Sequence, residues 1–165
     1  MKNGLSLALA TILIAGLVVL KPGFFSTEKD QIRDLLYKVV KSCEYEESLG
    51  LAKISMRLND LVELFAPDVD LTAVDEENSY TVIGWTHIKD YFLLGSQIAI
   101  ESDISISGLN IKLDNGQASA EFLAIVDFKD KNEESFREKG EFFVTFSRIS
   151  EKWVITKVQV ERLSL

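Results

Sequence analysis

Ile104–Val126, ISISGLNIKLDNGQASAEFLAIV, is the stretch whose reading decides the fold. Asn115-Gly116 suits a two-residue hairpin turn, in which both central residues take positive φ. Pairing outward from that turn sets Leu113 against Ala118, Ile111 against Ala120 and Leu109 against Phe122, all six on one face. Upstream the phase slips, because Ile104 and Ile106 are even-numbered while Leu109, Ile111 and Leu113 are odd. One extra residue at Ser107-Gly108 restores Ile106 against Ala124 and Ile104 against Val126. Glycine in a strand commonly marks such a bulge, and a bulge bends the strand. The expectation is a curved antiparallel sheet.

Two further strands follow, over Glu141–Arg148 and Trp153–Arg162. Phe142, Val144 and Phe146 share a face with Val154, Thr156, Val158 and Val160 only if an odd number of residues joins the strands. That phase sends Leu123, Ile125, Phe143, Trp153 and Ile155 to the opposite face. So many apolar groups on an outer sheet face mark an interface, and a homodimer through this face is expected. Between Asp127 and Glu141 ten of fifteen residues are charged, which reads as a solvated hairpin tip.

Ahead of the strands the period is helical. Thr27 followed by Glu28 and Asp30 is a helix start: a capping hydroxyl, then acids at the positive end of the dipole. Ile32, Leu35, Leu36, Val39, Val40 and Cys43 then recur on one helical face, so Cys43 reads as a small buried hydrophobe. Ile54, Leu58, Leu61, Val62 and Phe65 write a second helix that stops before Pro67. A short third helix opens after Gly84, turns Trp85, Ile88 and Phe92 inward, and ends at Gly95. Val69 to Ile83 reads as short extended pieces around the acidic turn Asp75–Asn78.

Residues 4–20, GLSLALATILIAGLVVL, carry no charge. At about 1.5 Å per residue they span roughly 25 Å, the short end of a membrane crossing. An uncleaved anchor is expected over 1–26, with a domain over 27–165 outside the cytoplasm, because no pair of small residues suited to signal cleavage follows the run. The alternative is a cleaved signal and a secreted or periplasmic domain. Residues 22–165 hold 16 basic and 26 acidic residues, a net charge of −10 that repels phosphate backbones and argues against nucleic-acid binding. One cysteine excludes an intramolecular disulfide and a multi-cysteine zinc site. One histidine among scattered acids gives no metal-ligand spacing, and neither a metal nor a cofactor is expected.

The run LNDLVELFAPDVDL (58–71), then GWTHIKDYF (84–92), then KWVITKVQVERL (152–163), resembles the nuclear transport factor 2-like superfamily, which includes SnoaL-like polyketide cyclases and steroid isomerases. The resemblance covers roughly residues 27–165. It implies a cystatin-like α+β cone, three helices packed in the concave face of a curved antiparallel sheet, here preceded by one N-terminal apolar helix. It also implies a possible pocket at the open end and frequent dimerisation through the sheet. Fold does not decide function, since the superfamily holds enzymes, ligand binders and adaptors.

Enzymes of this type need an ionisable group inside the cone, within reach of the reacting proton. The deduced inner face of the sheet offers only residues that do not titrate. By the resemblance, the base of steroid-isomerase-like members falls at about Ala73, with Asp70 and Asp75 close by in sequence, whereas Asp68 starts a turn. His87 and Tyr91 stand four apart on the third helix, so they can be neighbours at the rim of the cone. Trp85, His87 and Tyr91 are the residues expected to meet a ligand. Two readings follow. One is a non-catalytic, membrane-anchored or exported module that binds a small apolar ligand or a protein. The other is an isomerase, dehydratase or cyclase using His87, Tyr91, Asp70 or Asp75.

Overall fold

A computed structural model describes residues 27–46, 50–75 and 78–163. The apolar run at 4–20 lies outside the described residues. Among those described, no helix is long and apolar enough to cross a membrane.

Helix α1 spans Glu28–Cys43. Its start is a reciprocal capping box: the Thr27 hydroxyl accepts from the Asp30 amide at 3.2 Å, and the Asp30 carboxylate accepts from the Thr27 amide at 3.0 Å. Those Thr27 bonds hold the Asp30 carboxyl below its ordinary range. Its buried residues are Ile32, Leu35, Leu36, Val39, Val40 and Cys43, the six that the spacing selects. Helix α2, Leu51–Val62, buries only Leu61 and Val62. It ends three residues before the expected Phe65, because the Leu64 carbonyl accepts from the Ile155 amide at 2.9 Å and pulls Phe65 into the sheet.

The extended pieces are two strands, β1 (Phe65–Val74) and β2 (Ser79–Ile83). Pairing of β1 is interrupted between Phe65 and Asp70, which leaves Pro67 where no ladder donor is needed. Helix α3 runs Trp85–Ile98, longer than expected, with Gly95 inside it rather than ending it. The strands β3 (Ala99–Asp114), β4 (Gln117–Asp130), β5 (Ser135–Ile149) and β6 (Lys152–Leu163) complete a six-stranded curved sheet of order β2-β1-β6-β5-β4-β3. The sheet is mixed rather than purely antiparallel, since β1 runs parallel to β6.

The β3–β4 hairpin follows the sequence closely. Asn115 and Gly116 take φ of 44° and 82°, and Leu113, Ile111, Ile106 and Ile104 pair with Ala118, Ala120, Ala124 and Val126. The ladder shifts between Ser107 and Asn110, with Gly108 at φ 69°, so Gly108 and Leu109 together face Phe122. The charged tip shrinks to the turn between β4 and β5. Asp127 pairs with Arg137 and Ile125 with Lys139 in the ladder, and Phe128 stacks on Phe136 at 4.9 Å.

The β5–β6 connection corrects the sequence reading. Ile149 pairs with Lys152 across a two-residue turn, an even number, so Phe146 faces Ile155 instead of Val154 or Thr156. The ladder then slips by one residue at Thr156, which returns Val144 to Val158 and Phe142 to Val160. Trp153 and Ile155 therefore lie in the core, 7% and 1% exposed, and not on the outer face.

Candidate functional site

The residues singled out on α3 separate into two groups. His87 and Tyr91 do come together: their ring centroids are 6.2 Å apart, with His87 half-buried and Tyr91 buried. Burial, aided by the charge of Asp90, pushes the Tyr91 phenol above its ordinary range. Trp85 does not join them. Its indole N–H donates to the Phe65 carbonyl at 3.0 Å, which fastens the start of α3 to β1. Gly84 makes that junction possible, because at φ 96° its amide reaches the Val69 carbonyl at 2.9 Å.

The carboxylates near β1 face elsewhere. Along β1 the core-facing set is Val69, Leu71 and Ala73, and Ala73 sits between Val160 and Tyr80. Asp70 alternates to the other face, where it accepts from the Thr72 hydroxyl at 2.9 Å and pairs with Lys157 at 3.7 Å. Asp75 closes the β1–β2 turn, its carboxylate accepting from the Asn78 amide at 2.8 Å. Asp68 is exposed. Asp70 therefore does not share the core-facing side of β1 with Ala73.

Of the outer-face residues, Leu123, Ile125 and Phe143 are half-buried. They stand among polar partners, with Ser107 and Glu141 beside Leu123, Ser105 and Lys139 beside Ile125, and Glu121 and Gln159 beside Phe143. Among the described residues no three His, Cys, Asp or Glu gather as a metal set. Burial pushes the Cys43 thiol far above its ordinary range, which leaves it unreactive.

One feature was not legible in the sequence. A cleft of about 930 Å³ opens between α1, α2 and the start of β6. Leu35, Leu64 and Trp153 give it an apolar wall, and charged side chains of both signs surround it. The Arg148 guanidinium sits 5.1 Å from the centroid of the Trp153 ring and pairs with Glu28 at 2.8 Å. The Trp153 indole N–H is buried and has no hydrogen-bond partner among the described residues. Leaving such a donor unmade costs about 1–3 kcal/mol. The face of Trp153 depends on the length of the turn before it, two residues between Ile149 and Lys152, which the alternation of apolar residues does not fix.

The arrangement of helices and bent sheet superposes on known structures. The chain has the nuclear transport factor 2-like fold. A scytalone dehydratase-like protein from Novosphingobium aromaticivorans superposes with a TM-score of 0.65 at 13% identity, over 83% of this chain and 85% of that one. A hexachlorocyclohexane dehydrochlorinase, LinA-type3 from Novosphingobium barchaimii, gives 0.62 at 10% identity, over 82% and 86%. A protein of cystatin-like fold from Nostoc punctiforme gives 0.59 at 15% identity, over 83% and 93%. No family model and no curated protein matches the sequence. At such identities a nuclear transport factor 2-like fold says how the backbone is arranged and leaves the chemistry to the residues.

Proposed function

We propose that this chain is a nuclear transport factor 2-like module that works by binding a small apolar ligand, without catalysis. The observation that carries this reading is the core-facing side of β1, where Val69, Leu71 and Ala73 supply no proton acceptor while Asp70 is held outward by Lys157. The half-buried Leu123, Ile125 and Phe143 support a homodimer through the outer sheet face. The uncharged run at 4–20 supports tethering to a membrane with the domain outside the cytoplasm, or export if that run is cleaved. Mass spectrometry of the mature N-terminus separates the two, and light scattering of the full chain in detergent reads the dimer.

Native mass spectrometry of protein purified from its source tests the binding reading. The expected result is a co-purified apolar molecule released intact. Chemical turnover of that molecule by the protein would overturn it. The second reading, an isomerase or dehydratase, is favoured by one observation, the His87–Tyr91 ring contact. Of the three structural neighbours described above, two carry enzyme names. Under it, His87→Ala abolishes turnover; under the binding reading, His87→Ala leaves no turnover to lose.

A further inference from the structure

We propose that β2 is an interaction edge at which two copies of this chain pair β2 with β2, antiparallel about a two-fold axis through Thr81, joining their sheets into one. β2 stands at one end of the strand order, and β1 and β6 separate it from the strands that carry Leu123, Ile125 and Phe143, so this interface is not the outer sheet face. A strand at a sheet edge offers unpaired N–H and C=O groups, and proteins blunt such edges with charges, bulges or proline. The opposite edge, β3, is blunted: its ladder slips between Ser107 and Asn110, and Glu101, Asp103, Lys112 and Asp114 lie along it. β2, Ser79–Ile83, has no charge, no proline and no slip against β1. Tyr80, Thr81, Val82 and Ile83 are strand-favouring residues, yet Ile83 is 63% and Tyr80 40% exposed.

The backbone of β2 is divided between two sides. The Gly84 amide donates to the Val69 carbonyl and the Asp75 amide to the Asn78 carbonyl, both at 2.9 Å. Antiparallel pairs alternate between bonded and non-bonded, so between those two points the bonded pairs are Ala73 with Tyr80 and Leu71 with Val82. Thr72 and Thr81 then form a non-bonded pair, in which side chains come close, and their hydroxyls meet at 3.0 Å. Ser79, Thr81 and Ile83 therefore direct their N–H and C=O groups away from β1. With Thr81 on the axis every residue of β2 is paired. Thr81 meets Thr81 of the second copy and Ser79 meets its Ile83, each pair exchanging two backbone hydrogen bonds. Tyr80 meets Val82 in the closer, non-bonded position, an aromatic against a β-branched side chain, which stabilises a ladder. Charge agrees with this axis. It lays the Asn78 end of each strand, where Asp75 closes the turn, beside Gly84 of the other copy. The helix that follows Gly84, α3, has no acid in its first turn and no side-chain cap, so an acid of one copy approaches the positive end of a helix in the other.

The test uses the full chain in detergent. Thr81→Pro removes an N–H that points away from β1, a change that an edge strand accepts. Light scattering over a concentration series should show the mass of the largest species fall about twofold in that variant. Thr81→Cys should cross-link copy to copy under mild oxidation, because the Cα atoms of a bonded antiparallel pair stand about 5.5 Å apart, within disulfide range. Cys43 is buried and does not compete. Ser79→Cys, which meets Ile83 and not itself, should stay uncoupled. A mass unchanged by Thr81→Pro, no disulfide in Thr81→Cys, or equally efficient cross-linking in Ser79→Cys would each overturn the pairing. Slow exchange of the Thr81 amide, in protein whose mass Thr81→Pro does not alter, would assign the edge to a segment of the same chain and overturn it too. Should Thr81→Pro fail to fold, the two cysteine variants still decide. The Thr81→Cys cross-link needs no contact at the outer sheet face and no ligand, so its absence is told apart from failure of that dimer or of the binding reading.

Discussion

The Tyr45 hydroxyl lies 2.8 Å from where a Cβ on residue 95 would stand, and it donates to the Phe92 carbonyl at 2.8 Å. Gly95 therefore serves close approach between the chain leaving α1 and the middle of α3. The same segment is held to the sheet, since the Tyr45 amide donates to the Ser102 hydroxyl at 2.9 Å and its carbonyl accepts from the Ser102 amide at 3.0 Å. Tyr45 is thus the joint where two helices and β3 meet.

Overpacking a tight core site costs about 1–3 kcal/mol, against the roughly 1 kcal/mol that alanine gains over glycine in a helix interior. Gly95→Ala should therefore destabilise the fold by up to about 2 kcal/mol net. Tyr45→Phe removes the closest atom, leaving ring carbons at 3.3 Å. The double variant should therefore lose less than the two single losses combined. Urea denaturation of the four proteins reads the coupling, and strict additivity would refute the contact.

The slip at Thr156 makes neighbours on β6 differ sharply. Ile155→Ala should cost about 2–5 kcal/mol, as a buried isoleucine opposite Phe146 does when it leaves a cavity. Val154→Ala, one residue away and half-buried on the other face, should cost less than about 1 kcal/mol. A larger loss at Val154 than at Ile155, measured by chemical denaturation, would mean that the strand keeps the phase of Val158 and Val160 throughout.

The fold was legible where pattern is local. The α1 stripe, the Asn115-Gly116 turn and the bulge at Ser107-Gly108 are each written within a few residues, and the structure follows them. What failed depended on partners distant in sequence. Gly95 looks like a helix stop until Tyr45 is placed against it. Phe65 continues the helical stripe of α2 until Ile155 draws it into the sheet. Trp153 and Ile155 alternate outward until the two-residue turn and the slip at Thr156 invert their phase. The His87–Tyr91 contact was readable because both residues belong to one helix. The cleft was not, because three separate elements form it.

Stability should fall in alkali. Burial raises the thiol of Cys43 above its ordinary 9.0 and the phenol of Tyr45 above its ordinary 10.0. A folded state that resists ionisation keeps its full advantage below those ordinary values and loses it as pH climbs past them toward the raised ones. The loss should begin near pH 9 with Cys43, at about 1.4 kcal/mol per pH unit for each such group. Cys43→Ala should move the onset of that loss toward pH 10, measured as midpoint of unfolding against pH. An onset unchanged in the variant would show that the thiol ionises as freely folded as unfolded.

Ala73 and Asp70 give the sharpest check on which side of β1 faces the core. Ala73→Asp would place a carboxylate between Val160 and Tyr80, on the face that packs against the apolar core. Desolvation would raise its pKa, so the fold should lose about 2–3 kcal/mol at neutral pH. The raised group costs least below the ordinary carboxylate range near 4, so the gap to wild type should close as pH falls toward that range. Asp70→Ala removes only a partly exposed pair with Lys157, whose side chains are 36% and 46% exposed, and should change stability by less than about 1 kcal/mol at any pH. Thermal unfolding of both variants between pH 4 and pH 8 measures the two trends. A pH-independent Ala73→Asp loss, or a large loss from Asp70→Ala, would mean that Asp70 rather than Ala73 faces the interior, and with it the carboxylate that the enzymatic reading requires.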